Sequence, residues 1–407
     1  MHEVGRSVAA PLPGVRVPAL YETLTDPDRR AEALWEAWRR PKIELHLHLE
    51  GTLRPATVCE LAGRHDARSP LTQPDWHVGY WTFRDLTGFI QQFRVVNRAC
   101  VRDQADLERL AREGFEDLAA QNVRYAEVGW SARTPSHQFY VPLREAFGTI
   151  DRARREVEAR TALRVGLIVG INRAPGDADD EVTRRSALAL VEEAVLARED
   201  DVNIVGIDLH GDEQSQPRVE PFVDAFRLAA EAGLGLRAHA GEGSGPASVR
   251  AAVERLAVHR VGHGVRAIEE PELVERLGAA RIALDVCPTS NVLTGAVASL
   301  EAHPIRRLIA AGIPATIGSD DPIVFRTSVT TELALLHLAH GLSWAEIGEL
   351  MVHAARNAFL PEARRDALAE QMARGWSVPD ASTSTDARSP RHSWPAASPG
   401  PVLPASQ

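Results

Sequence analysis

The chain has 407 residues, of which 44% are hydrophobic and 25% charged, a composition typical of a globular protein with a large core. Its formal net charge of −10 disfavours nucleic acid and anionic membranes as partners, because both bind basic surfaces. No run of about 18 apolar residues predicts a membrane span. The N-terminus lacks the pattern of a signal peptide, and the three cysteines are too few and scattered for a disulfide framework, so a cytoplasmic location is expected.

Three regions differ in composition. Residues 1–40 are predicted to be an N-terminal extension with a short helix over 26–40, which Asp26 would cap. Residues 41–375 have the regular pattern of a folded domain. Residues 376–407 are rich in Ser, Pro and Ala, so we expect a disordered tail that buries too little apolar surface to fold.

Within 41–375, short apolar runs alternate with helical stretches eight times. Alternating strands and helices imply a parallel sheet, and eight repeats imply an α/β (β/α)8 TIM barrel. The segment 49–122, between the first two strands, is predicted to be a helical insertion that builds a lid or a pocket wall. The predicted strands are 42–48, 123–130, 164–171, 202–210, 235–241, 260–264, 281–287 and 314–320.

Titratable residues follow the predicted strands at one end of this barrel. In "ELHLHLEG" (44–51), His46 and His48 are two residues apart, so a strand would point both to the same side. A single histidine on an apolar strand is more often a hydrogen-bonded core residue, but five strands ending in polar groups favour a site at the barrel mouth. The titratable groups on which we base this prediction are His46, His48, His239, Glu242, His263, Asp320 and Asp321.

A single metal ion is predicted at this mouth. Three imidazoles, from His46, His48 and His239, together with the Asp320 carboxylate leave room for a water, as a catalytic zinc site requires. Nitrogen-rich ligation favours Zn²⁺. Barrel hydrolases that begin with His-x-His often bridge two metals through a carbamylated lysine. Because Lys42 is the only lysine and precedes the first histidine, we predict one zinc ion per chain.

Three further residues are candidates for catalysis. Glu242, three residues after His239, is positioned to act as a general acid if burial raises its pKa. His263 would orient or deprotonate a water, and Asp321 would hold the substrate. Taken alone, Glu242 and Asp321 are equally well explained as exposed loop carboxylates; a neighbouring metal favours the functional interpretation.

The motifs "PKIELHLHLEG", "IDLHGDE", "HAGE", "VGHG", "CPTSN" and "GSDDP", in that order over about 41–360, resemble the adenosine deaminase family of the amidohydrolase superfamily. The resemblance implies a zinc-dependent (β/α)8 barrel that hydrolyses the exocyclic amine of a 6-aminopurine to the 6-oxopurine and ammonia. It also assigns roles to individual residues. It implies zinc ligation by His46, His48, His239 and Asp320, protonation of purine N1 by Glu242, a water beside His263, and contacts to N7 from Asp321 and to N3 from Gly211.

Some positions depart from the family pattern. Glu50 stands where adenosine deaminases often have an aspartate facing the ribose, and glutamate is common in relatives acting on adenine or modified nucleosides. His210 occupies a position that is usually small, and Trp130 is expected to add bulk at the end of the second strand. The aromatic residues of 79–93 would either contact the substrate or pack the insertion's own core.

We therefore predict deamination of adenosine or a related nucleoside, including a 5′-modified one such as aminodeoxyfutalosine. An adenine deaminase is the alternative within the same chemistry, and a mononuclear hydrolase of amides or esters is a second alternative. A non-catalytic barrel is disfavoured because the predicted ligands and Glu242 are all present. The predicted partner is a small purine, and the sequence leaves the oligomeric state open.

Overall fold

Eight parallel strands form one sheet whose spatial order follows the chain. The computed structural model describes residues 12–132, 141–173 and 179–377. A bridge between Leu47 and Asp320 joins the first strand to the segment after the last, so the predicted TIM barrel is confirmed. The strands are β1 (Lys42–His48), β2 (Val123–Ser131), β3 (Arg164–Asn172), β4 (Ile204–His210), β5 (Gly235–Ala240), β6 (Arg260–His263), β7 (Ala283–Val286) and β8 (Ala315–Ile317).

Helices cover the outside of the sheet, which is why β1 is buried over its whole length. In chain order the α-helices are α1 (Ala19–Glu22), α2 (Pro27–Arg39), α3 (Pro55–His65), α4 (Leu86–Cys100), α5 (Gln104–Ala120), α6 (Leu143–Arg160), α7 (Asp180–Glu199), α8 (Val223–Glu231), α9 (Pro246–Arg255), α10 (Pro271–Ala280), α11 (Pro288–Leu293), α12 (Ile305–Ala310), α13 (Pro322–Phe325), α14 (Val329–His340), α15 (Trp344–Asn357) and α16 (Glu362–Trp376). Short 3-10 turns lie at Leu49–Thr52, Pro70–Thr72, Glu220–Phe222 and Val265–Glu269.

Helix α2 is the helix predicted over 26–40. The Asp26 side chain accepts hydrogen bonds from the backbone N–H groups of Asp28 (3.1 Å) and Arg29 (3.0 Å), so Asp26 is the predicted cap. The connection from β1 to β2 contains α3, α4 and α5, and α4 lies over the C-terminal end of the barrel, where seven of its residues line a cavity.

Lys42, the single lysine, lies at the start of β1 and is fully buried. Its Nζ donates to the carbonyl oxygens of Ala37 (2.6 Å), Trp38 (3.0 Å) and Arg40 (2.7 Å), which lie at and just after the end of α2. Because His48 ends the same strand, Lys42 lies at the opposite end of the barrel from the predicted metal ligands.

A chain of buried ion pairs fills the barrel interior. Arg260 donates to Glu127 (2.5 Å) and to Asp285 (3.0 Å), and Arg237 donates to Asp208 (3.1 Å). Arg237 also lies 3.7 Å from Asp285, so the two ion-pair groups join into one series in which positive and negative charges alternate. All five side chains are at most 1% exposed. Removing one of them would therefore leave the charge of its neighbour buried without a partner, which is destabilising.

The two termini lie partly outside the described residues. Residues 1–11 of the predicted extension and residues 378–407 of the predicted tail are not described. Helix α16 ends at Trp376, whose indole N–H donates to the Pro41 carbonyl (2.8 Å) and fastens the helix to the start of the barrel. Among the helices of the described ranges, none combines the length and apolarity needed to cross a bilayer.

Candidate active site

The four predicted metal ligands converge at the C-terminal end of the barrel. Nε2 of His239 lies 3.0 Å from Nε2 of His46 and 3.2 Å from Nε2 of His48. Oδ1 of Asp320 lies 3.4 Å and 3.2 Å from the same two histidine nitrogens. All four side chains are buried.

This donor set fits a single divalent cation. Ligand bonds of about 2.0–2.1 Å in a tetrahedron place the ligand atoms roughly 3.3 Å apart, which matches the four distances given above. Three nitrogens and one carboxylate oxygen are a ligand combination that suits zinc and other first-row metals. The residues present therefore fit a mononuclear metal site.

Two backbone hydrogen bonds join the segment after β8 to β1 and fix the positions of the candidate ligands. The Asp320 N–H donates to the His46 carbonyl (3.0 Å), and the His48 N–H donates to the Asp320 carbonyl (2.9 Å). Asp320 has a φ of +61° and His263 a φ of +60°, in the left-handed region that residues other than glycine rarely occupy. Such backbone strain is concentrated at functional sites.

Hydrogen bonds behind the ligands orient two of the imidazoles. Nδ1 of His46 donates to the Asp285 carbonyl (3.1 Å), and Nδ1 of His239 donates to the Asp208 carboxylate (3.2 Å). Both bonds direct Nε2 towards the other ligands, as second-shell partners of metal-binding histidines do. Burial lowers the pKa of His46 and of His239 to about 4, which keeps both rings neutral at physiological pH.

His48 behaves differently from the other two imidazoles. Burial lowers its pKa, but the carboxylates of Asp321 and Asp320 outweigh burial and raise the pKa to about 9. A cation bound at Nε2 would take the place of this proton, because metal ions bind neutral imidazole.

Glu213 holds the loop that carries Glu242. Its carboxylate accepts hydrogen bonds from the backbone N–H groups of Gly241 (2.8 Å), Glu242 (3.0 Å), Gly243 (2.7 Å) and Ser244 (3.2 Å). Sequence reasoning did not identify this role, although Glu213 ends the run "DLHGDE" directly after β4 and could have been suspected as a buried loop anchor. Glu213 thus fixes the backbone of this loop and holds Glu242 beside the candidate metal ligands.

Both candidate carboxylic acids are buried in surroundings that favour their protonated forms. Burial, together with the charges of Asp320 and Glu213, raises the pKa of Glu242 well above its ordinary value. Burial also raises the pKa of Asp321 well above its ordinary value, and the carboxylates of Asp320 and Glu50 add to the effect. The raised pKa favours the protonated form of each group, in which it can donate a proton or a hydrogen bond.

His263 is supported from behind by an amide. The Asn291 side chain donates to Nδ1 of His263 (3.0 Å), and its carbonyl oxygen accepts from Nε2 of His303 (3.2 Å). With Nδ1 accepting, the proton of the neutral His263 ring is on Nε2, which faces Glu242 at 3.4 Å. Burial lowers the pKa of His263 to about 3, so the ring stays neutral.

Several buried polar atoms at this end of the barrel lack a hydrogen-bond partner within the described parts of the chain. They are Oε2 of Glu50, Oε1 of Glu242, Nε2 of His263 and Oδ1 of Asp321. All four residues line one cavity of about 560 Å³. Because buried polar groups are normally paired, their concentration here indicates that a polar ligand completes the site.

The remaining predicted contact residues also border this cavity. Oε1 of Glu50 accepts from the Ser131 N–H (2.9 Å), which leaves its other oxygen available. Gly211 has a φ of +100°, a conformation that favours glycine. A Cβ at Gly51 would lie 2.3 Å from Oδ1 of Asp321, so only glycine allows this close approach.

The two residues whose roles were open lie in different surroundings. His210 lines the cavity, where its ring stacks on His48 with the centroids 5.4 Å apart. Trp130 does not add bulk at the site: its ring packs edge-on against Phe147 of α6, on the outer face of the barrel. Side chains alternate along a strand, so Ser131 rather than Trp130 faces the cavity.

The aromatic residues of 79–93 divide between the two predicted uses. Phe89 and Phe93 of α4 line the cavity and stack on each other with centroids 5.5 Å apart. Tyr80 and Trp81 instead pack against Trp76, which makes them part of the insertion's own core.

A larger groove of about 1690 Å³ opens at the other end of the barrel. It is bordered by the starts of several strands and by many arginines, including Arg124, Arg164 and Arg260. Active sites of TIM barrels lie at the C-terminal end of the strands, so the smaller cavity beside the histidines is the candidate active site.

Comparison with known proteins agrees with the geometry. The model of the family described as adenosine deaminase matches residues 41–374. The chain is 35% identical to an aminodeoxyfutalosine deaminase of Streptomyces coelicolor over 87% of this chain and 89% of the relative. It is 34% identical to an adenine deaminase of Rhodospirillum rubrum over 80% of this chain and 93% of the relative.

A solved structure with the same fold contains a bound metal. A Burkholderia ambifaria amidohydrolase with bound zinc superposes with a TM-score of 0.76 at 28% identity, covering 90% of this chain and 97% of that protein. The family match and the curated relatives identify a hydrolase of C–N bonds that deaminates adenine- or adenosine-like compounds. The chain belongs to the adenosine deaminase family of the amidohydrolase superfamily.

Proposed function

We propose that this chain uses one zinc ion to deaminate a 6-aminopurine nucleoside hydrolytically, giving the 6-oxopurine and ammonia. One observation carries the proposal: four candidate metal-ligand groups converge, and three of them, His48, His239 and Asp320, line a cavity together with unpaired buried atoms of Glu242, His263 and Asp321. Its volume of about 560 Å³ lies within the range of about 300–1,000 Å³ that is typical of small-ligand pockets.

His46, His48, His239 and Asp320 would hold the zinc ion. A bound zinc ion lowers the pKa of a water ligand from about 15.7 to about 7 and so supplies a nucleophile at neutral pH. Neutral His263 carries its proton on Nε2, on the side of the ring that faces Glu242. It would therefore orient that water by donating a hydrogen bond rather than deprotonate it.

The protonated carboxyls match the acceptors of a purine. Glu242, with its raised pKa, would donate a proton to N1 and so make C6 electrophilic. Asp321, whose pKa is also raised, would donate a hydrogen bond to N7. The Gly211 backbone would contact N3, and the free oxygen of Glu50 would accept from a sugar hydroxyl.

Adenine deaminase activity is the alternative, supported by the relative of that name and by a glutamate at position 50. A panel of adenine, adenosine, 2′-deoxyadenosine and 5′-substituted adenosines would separate the two, with ammonia release and zinc content measured on one sample. We expect the highest kcat/KM with a nucleoside. A clear preference for adenine would support the alternative, and turnover of lactones or cyclic amides with no aminopurine consumed would overturn the proposal.

A further inference from the structure

We infer that the outer part of the cavity binds a negatively charged group on the sugar side of the purine, through Arg94 and Arg98. The inference rests on the proposed function and names the class of substrate more closely: a 6-aminopurine nucleoside that carries a carboxylate or a phosphate. The geometry points to this class through the placement of charge along one helix.

Helix α4 presents a continuous face to the cavity. The residues that line it recur every three or four positions, as residues on one side of a helix do, and the first four are apolar while two of the last three are cationic. They are Leu86, Phe89, Ile90, Phe93, Arg94, Asn97 and Arg98. A ligand lying along this face would therefore contact apolar side chains near the N-terminus of α4 and positive charge near its C-terminus.

The helix is fixed relative to the catalytic end. Near its N-terminus the Thr87 hydroxyl donates to the Asp212 carboxylate (2.9 Å), on the loop that follows β4. The same loop carries Glu213, which holds Glu242. The apolar start of α4 is thus anchored beside the acid, and the arginines lie two to three turns farther along the helix.

Neither arginine has an acidic partner in the ranges that the structure describes. Arg94 and Arg98 are exposed, and no carboxylate there forms an ion pair with either guanidinium. By contrast, Arg109 on the neighbouring α5 pairs with Glu60 (2.7 Å) and Glu113 (2.8 Å). Like charges four residues apart on a helix repel each other, so an anion bound between Arg94 and Arg98 would relieve this repulsion.

The acidic groups of the cavity lie at its inner end. Glu50, Glu242, Asp320 and Asp321 are each at most 6% exposed. An anionic substituent would be repelled by this inner end and attracted to the exposed arginines. The charge distribution therefore orients the nucleoside with its aminopurine inward and its anionic group outward.

A third arginine of the cavity does not belong to this pair. Arg173 donates to the backbone carbonyls of Gln216 (2.9 Å), Arg218 (3.2 Å) and His239 (2.9 Å). These bonds join the segment after β3, the loop after β4 and the end of β5, and in the described parts of the chain they leave only Nε of the Arg173 guanidinium without a partner. We therefore assign Arg173 to supporting the site. Arg94 and Arg98 are free to bind either a carboxylate or a phosphate through charge-assisted hydrogen bonds.

The test compares kcat/KM for four nucleosides that share the adenine base: adenosine, adenosine 5′-monophosphate, adenosine 5′-carboxylic acid and the neutral 5′-methylthioadenosine. We expect wild type to prefer one of the two anions, and the preferred one identifies phosphate or carboxylate as the group bound. Arg94→Gln and Arg98→Gln should each lower kcat/KM for that anion about tenfold. Activity on adenosine should change by less than about twofold.

Arg255→Gln serves as the matched control, because Arg255 is exposed at the end of α9 and does not line the cavity. The preference for the anion should also weaken as salt is raised, since exposed charges are screened. Equal preference for anionic and neutral nucleosides, or equal losses on both in the arginine variants, would overturn the inference while leaving deamination intact.

If no aminopurine is deaminated, the proposed function fails. In that event, unchanged calorimetric affinity for the monophosphate in the double variant R94Q/R98Q would overturn the inference as well, and a tenfold loss would support it.

Discussion

Both ends of the barrel interior bury charged groups, but the two ends differ in how completely those groups are paired within the protein. Towards the N-terminal end, Lys42 donates to three carbonyls and Arg260 bridges two carboxylates, so these charges are satisfied by the protein itself. At the C-terminal end, Glu242, His263 and Asp321 each keep a buried atom without a partner among the described residues. Burial alone therefore does not mark a functional site; a cluster of unpaired buried atoms that lines one cavity is the better indicator, because a bound ligand would pair them.

If this contrast is correct, substitutions at the C-terminal end should abolish chemistry, whereas those at the N-terminal end should weaken the fold. Four substitutions test the contrast, from the largest expected effect to the smallest.

His239→Ala should lose metal and activity together, because it removes the ligand closest to both other imidazoles. Metal analysis of the purified variant and ammonia release would measure the two losses. His259→Ala is the matched control, since His259 lies at the start of β6 and contacts the Leu236 N–H instead of the metal ligands. Full metal occupancy in His239→Ala would remove His239 from the ligand set.

Glu242→Gln should retain the metal and lose activity by about 10²–10⁴-fold, the usual contribution of general acid–base catalysis. Glutamine keeps the shape of the side chain but cannot transfer the proton. Steady-state rates combined with zinc content would show the separation, with the exposed Glu254→Gln as control. A fully active Glu242→Gln enzyme would be incompatible with a proton-donating role.

Arg260→Met should lower the free energy of unfolding by about 3–5 kcal/mol, because it leaves Glu127 buried without its cation and Asp285 with only the more distant Arg237. Urea denaturation would measure this change, and zinc content of the folded fraction should stay near that of wild type. Adding Glu127→Gln should restore part of the lost stability. An undiminished stability of the single variant would show that the interior ion chain is not structural.

Asp208→Asn should weaken metal binding by about 10–100-fold, the usual effect of removing a second-shell carboxylate. Asp208 joins the two regions, since it accepts from both Arg237 and the His239 ring. Chelator competition would give the metal affinity, and urea denaturation would give the stability. A loss of stability with unchanged metal affinity would assign Asp208 to the structural region instead.

The sequence was sufficient to predict the barrel and the convergence of the four candidate metal ligands. Both predictions follow from local patterns, since eight alternating runs define the strands and the fold brings their ends together. The observed strands begin and end within a few residues of the predicted ones. Asp320 was predictable because it ends the last predicted run, although its left-handed backbone was not.

The supporting residues were not predictable in the same way. Glu213, Asn291 and Asp208 act on partners 28 to 31 residues away, through contacts that only the folded chain creates. The orientation of Trp130 was within reach, because counting alternate positions along β2 puts it opposite Ser131. The charge on α4 was also visible, but only the helix packing shows that Arg94 and Arg98 border the cavity.

The buried lysine has a practical consequence. Because Lys42 is the only lysine and its amine is enclosed by three carbonyl oxygens, reagents that acylate amines cannot modify a side chain of the folded protein. Acylation of Lys42 would thus require the end of α2 to separate from β1. The rate of acylation at the Lys42 amine would therefore measure how often α2 separates from β1.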